Sequence, residues 1–104
     1  MAYTVILITC SKKQEALKIV NALLVKKLAA CVNIVDKVES FFWWKGKIDR
    51  ARECLLIAKS TGAKLDKITK LVKSLHSYDV PEIISLPVAG GNKTYLEWIN
   101  DCIR

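Results

Sequence analysis

Four aromatic residues in a row, Phe41-Phe42-Trp43-Trp44, close a segment with strand character, and Lys45-Gly46 turns the chain behind them. Successive side chains of a strand point to opposite faces. Phe41 and Trp43 therefore share one face, and Phe42 and Trp44 share the other. Whichever face meets helices, one Phe and one Trp point away from them. The same holds in other strand-like segments. Val5 and Leu7 oppose Ile6 and Ile8, and Leu55 and Ile57 oppose Cys54 and Leu56. A sheet covered on one side alternates apolar and polar residues, whereas this one is apolar on both sides. Leaving the two rings wet would forgo roughly 3–6 kcal/mol per chain, at about 1.5–3 kcal/mol for each large apolar side chain. A chain of 104 residues makes one domain, 1–104, with too little spare helix to cover a second face. We expect another copy of the chain to cover it in a closed symmetric assembly. The alternative is a partly exposed aromatic hairpin tip.

The remaining periodicity supplies the element order. Tyr3 to Cys10 is rich in β-branched residues and predicts a first strand. Ser11 and Gln14 have the spacing of a capping box, and Ala16, Ile19, Val20, Leu23, Leu24 and Leu28 then recur at helical intervals. From Ala30 the period changes to that of a strand, which runs to Trp44. Lys47 to Lys59 returns as its hairpin partner. Lys64 to His76 predicts a second helix with an apolar stripe of Leu65, Ile68, Leu71, Val72 and Leu75. Pro81 keeps Val80 out of helical conformation. Glu82 to Val88 is a last strand, at an edge because of Pro87. Asn92 caps a short C-terminal helix carrying Tyr95, Leu96, Ile99, Cys102 and Ile103. The order βαββαβ plus a helix is an α+β, ferredoxin-like split βαβ arrangement with a four-stranded antiparallel sheet.

Composition narrows the function classes. No apolar run approaches the length of a membrane span. MAYTVILITC lacks a basic n-region and a cleavage site, so it predicts a strand and a cytoplasmic protein, not a signal peptide. Cys10, Cys31, Cys54 and Cys102 lie more than twenty residues apart, which excludes CxxC redox motifs and zinc knuckles, and free thiols are expected. The net charge of +7 comes largely from lysines on solvated helix faces, as with Lys64, Lys67, Lys70 and Lys73. An RNA-recognition domain has the same element order but stacks bases on aromatics of its central strands. The third strand here, KIDRARECLLIAK, has none, so neither nucleic acid nor membrane is an expected partner.

One segment concentrates chemistry-bearing residues: SLHSYDVPEIISL, with the only histidine, His76, followed by Tyr78, Asp79 and Glu82. In this topology the end of the first strand, Cys10, lies near the start of the last, Glu82, and the His76 loop arrives at the same end. A thiolate, an imidazole and a carboxylate suit Cu(I), Cu(II) or Zn(II). Cys10, His76 and Glu82 are therefore the candidate metal ligands, with Tyr78 and Asp79 shaping the pocket. Cys10 directly precedes a helix start, which predicts a lowered thiol pKa. The structural alternative is a histidine that interacts with the last carbonyls and dipole of its helix.

Six ordered segments together, LAACVNI, WWKG, LLIAKS, HSYDVPEI, SLPVAGGN and YLEW, resemble the CutA family of divalent-cation tolerance proteins. The resemblance implies a ferredoxin-like fold, a tight trimer built with the hairpin and the second sheet face, and copper binding as reported for some members. It also implies a link to signalling, because the family's trimer is similar to the PII regulators. The copper-associated cysteine of some members falls at Ile8 here, and their His-His-Pro-Tyr reads Leu75-His76-Ser77-Tyr78, so only His76 carries over directly. Cys10 lies on the same sheet face as Ile8 and is the candidate replacement.

No Ser-His-Asp or Cys-His constellation, phosphate loop or dinucleotide fingerprint is legible. Acylphosphatases share the fold but carry an arginine-bearing anion loop where this chain reads CSKKQ. The expectation is therefore a non-enzymatic homotrimer for copper or another divalent metal, with no metal needed for folding. The alternative is a PII-like trimer sensing a small anionic ligand in clefts between subunits.

Overall fold

The first strand, β1 (Tyr3–Cys10), pairs antiparallel on both sides, with β3 (Lys47–Thr61) and β4 (Ile83–Pro87), and β2 (Cys31–Trp44) flanks β3. The sheet order is β2-β3-β1-β4, the arrangement expected from the element order. The computed structural model describes residues 2–104. β4 is an edge strand, which accommodates Pro87 because no further strand asks it for an amide hydrogen. Among the described residues no helix is long and apolar enough to cross a membrane.

One sheet face is closed by α1 (Lys13–Val25) and α2 (Leu65–Leu75), which follows a single 3-10 turn at Gly62–Lys64. Ile6, Ile8 and Cys10 of β1 and Cys54, Leu56 and Ala58 of β3 point into this core. Ala16, Ile19 and Leu23 meet them from α1, and Ile68 and Val72 from α2. Most of the helical stripes read from the sequence are buried or partly buried, but Leu24 and Leu75, toward the ends of theirs, are exposed. α1 ends through Lys27 in the left-handed region (φ 55), with Leu28 N–H bonded to Leu23 O at 2.9 Å and Lys27 N–H to Leu24 O at 3.0 Å. This pair of bonds satisfies two orphan carbonyls without glycine. α3 (Lys93–Ile103) contacts β3 and buries Ile99 and Ile103, and Asn92 Oδ1 caps it as expected, accepting from Thr94 N–H at 3.0 Å.

The expected capping box at Ser11 and Gln14 does not form. The cap residue of α1 is Lys12, in extended conformation and without a side-chain bond. The acid of that first turn, Glu15, complements the helix dipole and turns toward the His76 loop instead.

The outer face carries Val5 and Leu7 opposite Lys59 and Ile57, and Leu86 and Ile84 on the other side. Ile84 and Leu86 remain 49% and 48% exposed. This is the uncovered second face anticipated from the alternation. The β2–β3 hairpin is longer than the helix layer, so its tip lies beyond both helices. All four residues of Phe41-Phe42-Trp43-Trp44 are exposed, Trp43 at 74%. The expectation that only one Phe and one Trp would face away from the helices therefore understates the exposed aromatic surface. Lys45 and Gly46 form the tip with φ of 51° and 77°, the two-residue turn whose twist matches a hairpin.

Candidate functional site

The site grows from the end of β1. Ile8 is the last β1 residue paired with β4, opposite Ile83, so the loop between α2 and β4 must arrive beside Thr9 and Cys10. That loop is held by His76, whose side chain has no exposed surface. Its Nε2 lies 2.7 Å from Thr9 O, an acceptor only, so Nε2 carries the proton and donates. Nδ1 then accepts the backbone N–H of Tyr78 at 3.1 Å. His76 caps the end of α2, but its ring bonds a strand carbonyl, not the helix's own last carbonyls.

Two nearly buried carboxylates sit against this clamp. Glu15 of α1 accepts both the backbone N–H of Ser77 (3.3 Å) and its hydroxyl (2.9 Å), and stands 3.7 Å from His76 Nδ1. Glu53 of β3, 8% exposed, accepts the Tyr78 hydroxyl at 2.7 Å. Burial, and then the neighbouring Glu53 carboxylate, push the Tyr78 phenol above its ordinary range. At neutral pH Tyr78 is thus a firm donor to Glu53.

Cys10 departs from expectation. Its thiol is pushed up to about 12, chiefly by burial and then by Cys54, Glu15 and Glu53. The lowering expected at a helix start is outweighed by this burial. The sulfur also faces the Lys12 carbonyl at 3.9 Å.

Beside the clamp lies a cavity of about 650 Å³. Thr9 and Tyr78 form its base, Phe41, Phe42 and Trp44 of the hairpin its aromatic side, and Asp49, Glu53, Asp79 and Glu82 its acidic rim. Four of the ten acidic residues of a +7 chain therefore border one cavity, and no lysine or arginine lines it. The aromatic run and the carboxylates converge because the hairpin reaches past the helices, toward the loop that ends at β4.

The three candidate ligands have separate fates. Glu82 is exposed and borders the cavity, whereas Cys10 and His76 are buried behind it and neither lines it. Both ring nitrogens of His76 are engaged by backbone groups. Among the described residues no three His, Cys, Asp or Glu side chains are grouped to hold an ion. Tyr78 and Asp79 do shape the cavity. Glu15, Asp49 and Glu53 are the contributors that sequence reasoning missed. Glu53 had a signal: a lone carboxylate abutting the apolar run Cys54-Leu55-Leu56-Ile57-Ala58 of a central strand.

Comparison with known proteins gives a consistent answer. Residues 4–102 match the family model described as CutA1 divalent ion tolerance protein. A chloroplastic CutA 1 protein of rice (Oryza sativa subsp. japonica) is 45% identical over 100 residues, which cover 96% of this chain but 56% of the relative. The chain thus spans about half the length of that plant protein. A divalent-cation tolerance protein CutA of Thermus thermophilus is 43% identical over 93% of this chain and 94% of its own. The solved structure of a periplasmic divalent cation tolerance protein CutA from Archaeoglobus fulgidus superimposes with a TM-score of 0.95 at 42% identity, covering 98% of this chain and 99% of the other.

Proposed function

This chain belongs to the CutA1 divalent ion tolerance family, and from that premise we propose that it is a divalent-metal tolerance or metal-responsive binding protein. It acts as a cytoplasmic homotrimer, binds copper or another divalent cation, and has no catalytic turnover. The observation that carries this reading is the cavity rim: Asp49, Glu53, Asp79 and Glu82 with no basic side chain among the lining residues. In a chain of net charge +7 such a rim is a local well for cations. Oxygen donors suit hard and borderline ions. The carboxylates are too dispersed for one chain to complete an ion's coordination, so water or a neighbouring subunit supplies the remainder. The apolar outer face, with Leu7, Ile57, Ile84 and Leu86, is the surface the neighbours cover. The PII-like reading, with a small anionic ligand, is less well supported because the same carboxylates repel anions.

Calorimetric titration with Cu(II) and Zn(II) tests the reading on wild type and on a Glu82→Gln/Asp79→Asn double variant. We expect saturable binding in wild type and at least about tenfold weaker binding in the variant, or 1.4 kcal/mol. Sedimentation should find three chains per particle, dispersed by Leu7→Asp. Absence of metal binding together with a thermal shift by a nucleotide or organic acid would favour the PII-like alternative.

A further inference from the structure

α1 is apolar on two sides. Ala16, Ile19 and Leu23 are buried against the sheet, but Leu17, Leu24 and Val25 are open to solvent, Leu17 at 52% and Val25 at 72%. Leu17 and Leu24 lie seven residues apart and so share one face of the helix, with Val25 beside them. Leu75, at the end of α2, is exposed as well, and it borders a shallow groove together with Lys12, Leu17 and Lys18 of the α1 side. The two helices therefore present one outer surface with large apolar residues in it.

Charge is divided in the same way. Residues 12–27 and 64–75, the two helices with their flanking turns, carry nine lysines against two carboxylates, Glu15 and Asp66. This excess of seven is the entire net charge of the chain, and the remaining residues balance at eight basic and eight acidic. Glu15 is buried and bonded to Ser77, which leaves Asp66 as the one exposed carboxylate of the layer. All the lysines except Lys64 are fully exposed, and among the described residues none of the nine joins an ion pair. A merely solvated helix face, the reading from the sequence alone, mixes both signs of charge and keeps large apolar groups off it. The assembly proposed above covers the opposite face of the sheet, so this layer stays outward.

We propose that the outer surface of α1 and α2 docks on an anionic lipid surface. The lysines lie over the charged headgroups, and Leu17, Leu24, Val25 and Leu75 enter the boundary between headgroups and acyl chains. Two features favour lipid over nucleic acid. All nine cations are lysines, point charges that suit a fluid array of headgroups, and none is the arginine whose planar fork fits a fixed phosphate or a base edge. Neither helix carries an aromatic residue on which a base could stack, whereas exposed leucines gain from acyl chains. None of these lysines or leucines lines the acidic cavity, so the proposal is independent of the metal reading.

The test sediments the full chain, in its native assembly, with vesicles of phosphatidylcholine alone and with vesicles in which about one lipid in three is phosphatidylserine. Binding should require the charged lipid and weaken as salt shortens the reach of the lysines below about 8–10 Å. Lys67→Gln/Lys70→Gln/Lys73→Gln alters only exposed, unpaired side chains and should weaken binding roughly hundredfold, at about fivefold per lysine. Leu17→Ser/Val25→Ser should weaken it roughly tenfold and leave its salt dependence unchanged. Lys45→Gln/Lys47→Gln/Lys93→Gln removes the same charge from outside the layer and should stay within about threefold of wild type. The Glu82→Gln/Asp79→Asn variant should bind vesicles no more weakly than wild type, so this proposal and the metal reading fail separately. No binding to charged vesicles, equal binding to neutral ones, or equal loss in both lysine variants would overturn the proposal. So would tighter binding to single-stranded RNA or duplex DNA at the same salt, which would assign the surface to nucleic acid.

Discussion

Replacing His76 with alanine removes a fully buried ring and two hydrogen bonds, to Thr9 O and from Tyr78 N–H. Each bond contributes about 0.5–1.5 kcal/mol net, and a buried group left without a partner costs more. The void left by the ring adds about 1 kcal/mol. The sum is a loss of roughly 2–4 kcal/mol. The damage is local in origin, because the loop is no longer tied to the end of β1 and Tyr78 is no longer seated over Glu53. Urea unfolding measures it, at one fixed protein concentration because the proposed assembly would add to stability. His76→Gln is the informative control. Its amide nitrogen can donate where Nε2 donates, but glutamine places no acceptor where Nδ1 sits, facing Tyr78 N–H, so about half of the loss should return. On that variant, whose loop stays seated, Cu(II) affinity should remain within about threefold of wild type, under 0.7 kcal/mol. The reasoning is refuted if His76→Gln keeps full stability yet loses metal affinity tenfold or more. A ring nitrogen would then be leaving its backbone partner to bind an ion.

Two further outcomes follow from local geometry. Asn92→Ala removes the acceptor of Thr94 N–H and should cost about 1 kcal/mol, visible as faster amide exchange in the first turn of α3, whereas Asn92→Asp should leave it unchanged. Asp36 is held below its usual value of 3.8 by the Cys54 thiol and then by Lys37 N–H. Its charged form therefore stabilises the fold at pH values above 3.8, and that contribution disappears as the pH falls through the lowered folded value. Thermal unfolding of Asp36→Ala should lie below wild type at neutral pH and converge with it in acid.

The aspects legible in the sequence are those that depend on neighbours along the chain. The period of two in TVILIT and CLLIA marks central strands. The 3.6-residue stripes at Ala16, Ile19, Leu23 and at Ile68, Val72 mark the faces that bury, and Lys45-Gly46 and Asn92 mark a turn and a cap through their own side-chain or backbone preferences. The apolar second face was equally local, since alternation alone puts Leu7 and Ile57 opposite the core. One Phe and one Trp of the aromatic run were read as pointing away from the helices; that all four are exposed depends on how far the hairpin outruns α1 and α2, which no local pattern encodes.

The site was decided by tertiary structure. His76 reaches Thr9 across 67 residues, Ser77 reaches Glu15 across 62, and Tyr78 reaches Glu53 across 25. Thr9 and Glu53 are placed by strand register and Glu15 by the docking of α1, and in the strands a one-residue slip would send every side chain to the opposite face. The sequence placed His76, Tyr78, Asp79 and Glu82 at one end of the sheet. Tyr78 and Asp79 were already read as shaping a pocket, but only the packed chain assigned His76 to a clamp instead of to that pocket. Likewise the sequence supplied Cys10 beside a helix start, but burial is a property of the assembled layers, and desolvation there outweighs the helix terminus.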